Sequence, residues 1–175
     1  MGNDNKLARF EEAILPHASA AYNLARWLTG SEHDAEDVAQ EAYLRAFKFF
    51  ESFRGIDSRS WLLAIVRNTC YTWLKQKKMH DNTTVFDEEI HSTDEDVSNP
   101  ETELLQALDN ERIRKAIEEL PVEYREVVVL CDLEGLSYKE IAQIIKLPIG
   151  TVMSRLARAR KRLIEYLSGV VDGEL

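Results

Sequence analysis

Apolar positions recur at intervals of three and four along most of the chain, the spacing of one face of an α-helix. Leu7, Phe10, Ile14, Ala18, Ala21, Ala25 and Leu28 make the first series, which ends at Gly30. Pro16 lies inside it. A proline has no amide hydrogen and clashes with the preceding turn, so the series is expected as two helical pieces. A second helix carries Val38, Ala42, Leu44, Ala46 and Phe49 to about Phe50, with Asp34 as its N-cap and acids crowding the positive helix end. Residues 51–57 then form a short loop around Gly55, and Ser58 is expected to cap a long helix reaching about Lys78. At 100° per residue, Trp61, Leu62, Ile65, Val66, Thr69 and Trp73 share one face of that helix. Ala64, Arg67, Asn68, Tyr71, Lys75 and Lys78 share the opposite one.

Beyond residue 100 the helical spacing resumes. Leu104, Leu108, Ile113 and Ile117 mark a helix stopped near Leu120. Pro121 suits the first position of the next, which runs through Val127, Val128 and Leu130 to Gly135. Ser137-Tyr138-Lys139-Glu140 is a capping box, which starts a short helix carrying Ile141, Ala142, Ile144 and Ile145. Lys146-Leu147 makes a tight turn, and Pro148 opens a last helix to about Leu167. Short helix, tight turn and longer basic helix is the layout of a helix-turn-helix DNA reader. The expected fold is all-α, with no internal repeat.

Charge divides this pattern into two bodies. The net charge is -9, from 22 Lys and Arg against 31 Asp and Glu. Residues 1–80 hold 11 bases and 10 acids, residues 112–175 again 11 and 10, and residues 81–111 hold 11 acids and no base. The whole acidic excess therefore lies between two near-neutral halves. The stretch MHDNTTVFDEEIHSTDEDVSNP is polar, poor in aromatics and self-repelling, as an extended linker is. The expected organisation is a domain over 1–80, an acidic flexible linker over 81–100 and a second domain over 101–175.

Composition removes several classes of function. No apolar run is long enough to span a bilayer and no secretory leader precedes the first helix, so the chain is expected in the cytoplasm with no membrane insertion. Cys70 and Cys131 are far apart, and His17, His33, His80 and His91 are scattered, so no metal site is expected and both cysteines read as buried free thiols. With no phosphate loop, nucleophile constellation or ligand cluster, neither an enzyme, a cofactor nor a small-molecule substrate is expected.

The last helix carries the clearest chemistry. Val152, Leu156, Ala159, Leu163 and Tyr166 form an apolar stripe. Thr151, Arg155, Arg158 and Arg162 form a second stripe about 100° round from it, flanked by Ser154 and Lys161. Arginine offers a planar fork to guanine edges and phosphates, and lysine and hydroxyls suit the phosphate contacts that set register.

The run SYKEIAQIIKLPIGTVMSRLARARKRL resembles the promoter-reading C-terminal domain of extracytoplasmic-function (ECF) sigma factors, the smallest members of the sigma-seventy class of RNA polymerase subunits. Independently, DAEDVAQEAYLRAF looks like that family's polymerase-docking helix, and FRGIDSRSWLLAIVRNTCYTWL like its promoter-melting segment. The resemblance covers nearly the whole chain. It implies that Asp37, Gln40, Glu41, Leu44 and Arg45 face the polymerase clamp. The loop from Arg54 through Ser58 and Arg59 would take an unstacked base of the minus-ten element, and Arg67, Asn68, Tyr71 and Lys75 would line the path of the single strand. Aromatic or arginine platforms return about 1–3 kcal/mol per base, enough to offset the stacking lost on melting. The implied partners are core RNA polymerase, through its clamp and flap, promoter DNA and an anti-sigma factor. The acidic linker would thread the polymerase interior in imitation of nucleic acid.

Two positions depart from the family pattern: Lys146 stands where glycine is usual in the helix-turn-helix turn, and Ile56 where a polar residue is commoner in the base-capturing loop. Two other readings stay open at this point. A stand-alone helix-turn-helix regulator would bind duplex DNA without polymerase, and would need neither a docking helix nor the face bearing Arg67 and Asn68. A sigma mimic would titrate an anti-sigma factor, and would not need Asn68, Arg155, Arg158 and Arg162.

Overall fold

The structure is a computed structural model that describes residues 2–55, 57–81 and 102–172. The expected linker over 81–100, its passage through the polymerase and the departure at Ile56 lie outside the described residues, apart from the backbone of Asp81. Among the described residues there is helix and no strand.

Helices α1 (Gly2–Ile14) and α2 (Ala18–Thr29) are separated by one 3-10 turn, Leu15–His17, at Pro16. The proline thus makes two helices of one apolar series. Helix α2 ends on Gly30 in the left-handed region at φ 83°. Helix α3 (Glu32–Phe49) starts three residues earlier than expected, because Ser31 is the cap and its hydroxyl accepts the Asp34 amide at 3.2 Å. Asp34 instead joins Glu32 in the first turn, where acids offset the helix dipole.

Helix α4 (Ser58–Asp81) is likewise capped from one residue further out. Asp57, not Ser58, accepts the Ser60 amide at 3.0 Å and the Ser60 hydroxyl. Burial would raise the Asp57 pKa, but these bonds and the nearby Arg59 outweigh it and leave it lowered. The Ser58 hydroxyl turns back and donates to the Ala13 carbonyl at 3.1 Å, pinning the start of α4 to the end of α1.

Leu24, Leu28, Val38, Ala42, Leu62, Leu63 and Val66 form the centre of this first bundle, all at most 1% exposed. Leu7, placed by the sequence pattern on the same stripe, is 46% exposed.

The second bundle comprises α5 (Thr102–Glu118), α6 (Val122–Val128), a π-helical turn at Val129–Leu133, α7 (Tyr138–Ile145) and α8 (Ile149–Asp172). Pro121 lies just ahead of α6, and its carbonyl accepts the Tyr124 and Arg125 amides. The Ser137–Glu140 capping box forms as expected. Lys146 is left-handed, at φ 57° and ψ 45°, and closes α7 before the turn into α8. Ile141, Ile144, Val152, Leu156 and Ala159 interlock at the centre, and α8 runs five residues past the expected end. Ile113 faces outward at 46% exposure. Of the two thiols, Cys70 is buried and Cys131 only half-buried, against the Arg160 guanidinium.

The two bundles touch. Helix α4 packs on α7, and α2 on α6.

Candidate nucleic-acid interface

The expected single-strand face of α4 is divided by this contact. Asn68, Lys75 and Lys78 are exposed, while Arg67 and Tyr71 are half-buried against the second bundle. Arg67 donates from Nε and Nη2 to the two carboxylate oxygens of Glu126, at 2.8 and 3.2 Å. Its guanidinium also lies 4.0 Å from the centre of the Tyr71 ring. Burial works against the charge of Arg67, but Glu126 outweighs it and the pKa is raised. Burial first, then the Glu126 charge, pushes the Tyr71 phenol up, so it stays neutral.

The loop expected to capture a base rests on an aromatic ladder, of which periodicity singled out only Phe10 and Trp61. Phe10 meets Phe47 and Phe50 edge-on at 5.3 and 5.4 Å, and Phe53 sits 4.9 Å from Trp61. Five aromatics within positions 47–61 were the available signal. Gly55 lies against this ladder: a Cβ there would come within 3.1 Å of the Phe53 ring. Arg54 is exposed. Arg59 donates through Nη2 to the Glu134 carbonyl of the second bundle. The Ser58 hydroxyl is occupied by α1.

On α8 the outward stripe is present. Ser154, Arg158, Lys161 and Arg162 are exposed, and Thr151 is half-exposed. Arg162 stacks its guanidinium 4.9 Å from the Tyr124 ring centre. Arg155 differs from its neighbours: its Nη1 lies 3.8 Å from Glu126, and its side chain is 25% exposed. Glu126 itself is fully buried, so one carboxylate engages Arg67 and Arg155 together.

The expected docking residues line up on the outer side of α3. Asp37, Gln40, Glu41 and Leu44 are exposed, and Leu44, at 72%, is the most exposed large apolar residue of this bundle. Arg45 pairs with Glu41 at 2.6 Å, and His33 lies 3.6 Å from Asp37. Gln40 and Leu44 also line a shallow apolar groove with Leu7, Phe10, Tyr43 and Phe47. The α1 half of that groove was read from the sequence as core.

Among the described residues, no group of three or more His, Cys, Asp or Glu is placed to hold a metal ion, and no helix is long and apolar enough to cross a membrane.

Two family models match the chain: Sigma-70 region 2 over residues 13–79, and Sigma-70, region 4 over residues 110–163. The chain is similar to the ECF RNA polymerase sigma factor SigE of Mycolicibacterium smegmatis, 32% identical over 167 residues, covering 95% of this chain and 65% of the relative. It is also similar to the ECF RNA polymerase sigma-E factor of Escherichia coli, 37% identical over 138 residues, covering 74% of this chain and 72% of the relative. Among solved structures it superposes on the sigma factor RpoE of Bartonella quintana, crystallised with the anti-sigma factor NepR, with a TM-score of 0.77 at 29% identity, covering 91% of this chain and 97% of that one. The region 2 and region 4 models match the first and the second bundle, and the chain belongs to the ECF sigma factors of RNA polymerase, within the sigma-70 class.

Proposed function

We propose that the chain binds core RNA polymerase and directs it to promoters through two separate DNA surfaces, acting without catalysis of its own. Residues 1–80 are the polymerase-docking and minus-ten domain, residues 81–100 the linker, and residues 101–175 the minus-thirty-five domain. The observation that carries this reading is the pairing of two unlike cationic surfaces in one chain. One is an α4 face with Asn68, Tyr71, Arg67 and Lys75 beside the loop holding Arg54 and Arg59; the other is the α8 stripe.

Each surface suits its target. Helix α8 projects Thr151, Ser154, Arg155, Arg158, Lys161 and Arg162 from the second helix of a helix-turn-helix, the element that enters a major groove. The α4 face offers an amide, an aromatic and bases, the set that holds an unstacked strand. Asp37, Gln40, Glu41, Leu44 and Arg45 dock on the polymerase clamp. Support comes from the exposure of Leu44 beside an apolar groove, since an unpartnered apolar edge rimmed by charge is the usual form of a protein-binding surface. The second bundle sits beneath the polymerase flap, and an anti-sigma factor is the regulating partner, as in the complex of the similar Bartonella quintana protein. All of these partners place the chain in the cytoplasm.

Transcription from a genomic fragment library by core polymerase, with and without the chain, tests this reading. New start sites sharing two upstream elements are expected. If the chain shifts a duplex fragment in a gel without polymerase, but adds no start sites, a stand-alone regulator is the better description. If it captures an anti-sigma factor yet adds no start sites, a mimic is.

A further inference from the structure

Two rows of side chains, each spaced four residues apart, run side by side along the outward face of α8. One is Gly150, Ser154, Arg158 and Arg162, all exposed, and three of these are already among the proposed minus-thirty-five contacts. The other is Ile149, Met153, Ala157 and Lys161, and its first three members are apolar. Ile149 is 45% exposed, Met153 is 52% exposed, and Ala157 is exposed as well. Val152, Leu156 and Ala159, at most 1% exposed, already fill the core beneath this part of the helix. About half of the Met153 side chain is therefore left for a partner.

Arg160 flanks the apolar row on its other side, where Asp132 holds it. Its Nη2 donates to Asp132 Oδ1 at 2.7 Å and its Nε to Oδ2 at 3.3 Å. With that guanidinium fork engaged inside the protein, one edge of α8 offers carbon where the neighbouring edge offers charge.

An apolar strip on the outward face of a major-groove helix has a defined counterpart. Of the four bases, thymine alone carries a methyl group into that groove, at C5. Cytosine at the same place lacks the methyl and presents an amino group, which is unfavourable to bury against hydrocarbon without an acceptor. Methionine is unbranched and polarizable, so its chain follows the position of a methyl better than a β-branched residue does.

We propose that Met153 is a specificity-determining residue, which with Ala157 seats the C5 methyl of a thymine in the minus-thirty-five element. The proposal rests on the preceding reading that α8 enters the major groove there. Ser154 and Arg158 meet polar edges and phosphates on one side of this methyl contact, and Lys161 ends the apolar row on a phosphate. The strip accepts thymine and rejects cytosine at one pair.

The test uses the full chain with core polymerase on a promoter drawn from the fragment library. Each thymine of its minus-thirty-five element, on either strand, is exchanged singly for deoxyuridine, which removes one methyl and keeps every hydrogen-bonding group. At least one exchange is expected to lower the initiation rate about fourfold, the worth of one buried carbon. Met153→Gln, of similar length and helix propensity, loses a similar factor on the thymine promoter and is insensitive to that exchange, whereas Arg158→Ala stays sensitive to it. An element in which no thymine methyl matters overturns the proposal. So does an exchange effect that persists in Met153→Gln, which assigns the methyl to the shape of the duplex. Should the chain start no transcripts, the preceding reading fails, and the same exchanges are read by gel shift on duplexes that the chain alone selects at low salt. There, an effect lost in Met153→Gln upholds the strip, and no effect, or no duplex selected, overturns it.

Discussion

Asp57 ends the loop proposed to take an unstacked base, and its carboxylate holds the first turn of α4 through Ser60. Replacing it with Ala removes the cap and is expected to cost about 1 kcal/mol, read from the shift of a urea midpoint. Its pKa is lowered in the folded chain, so its stabilisation is present above the ordinary aspartate value of 3.8 and fades as pH falls through the folded value. The stability gap between the parent chain and Asp57→Asn therefore closes in acid. Lys146 gives the opposite sign. A side chain in the left-handed region is strained, so Lys146→Gly is expected to raise stability by up to about 1 kcal/mol, net of the freedom glycine adds to the unfolded chain. Cys70, whose thiol burial and then Glu126 push up to about 12, is expected to resist maleimide in the native chain and react on unfolding, whereas half-buried Cys131 reacts first. The residue scale is also where the sequence was least legible. Caps at Ser31 and Asp57 lie one to three positions outside those expected, because serine and aspartate neighbours compete for the same amides and only backbone geometry decides.

At the scale of elements, the stripes of α8 were readable because an exposed helix obeys its own period. Val152, Leu156 and Ala159 are buried, and Arg158 and Arg162 are exposed, as the 100° rule requires. Leu156→Ala is expected to cost about 2–5 kcal/mol in thermal or urea unfolding, since the side chain is 1% exposed in the centre of the second bundle. Lys161→Ala is expected to leave the fold intact and, as a proposed phosphate contact, to weaken promoter binding about equally for all sequences, with a salt dependence shallower by about one unit in a log–log plot. What the period could not supply is the partner of an element. Arg155 shares the stripe of Arg158, but Glu126 of α6 draws it back. Leu7 shares the stripe of Ile14, yet lines an open groove with Leu44 and Phe47 of α3. Both outcomes depend on residues remote in the chain, which spacing along one helix does not encode.

For the whole molecule, the near-neutral halves explain how an acidic protein can present the two cationic surfaces proposed to meet DNA. The order of the two helical bodies was legible because each has its own local signature, and the Sigma-70 region 2 and region 4 models match them in that order. The junction of the two bundles was not legible: Arg67 and Glu126 stand 59 residues apart, and neither is unusual in its own helix. The central claim is that the two surfaces read different parts of one promoter. It is tested most directly by measuring initiation rates for Asn68→Ala and Arg158→Ala chains on one promoter whose two upstream elements are substituted base pair by base pair. The account predicts that Arg158→Ala couples to substitutions in the minus-thirty-five element alone, at about 1–3 kcal/mol for a directly read pair, and Asn68→Ala to those in the minus-ten element alone. Both variants coupling to the same element, or neither coupling to any, would contradict it.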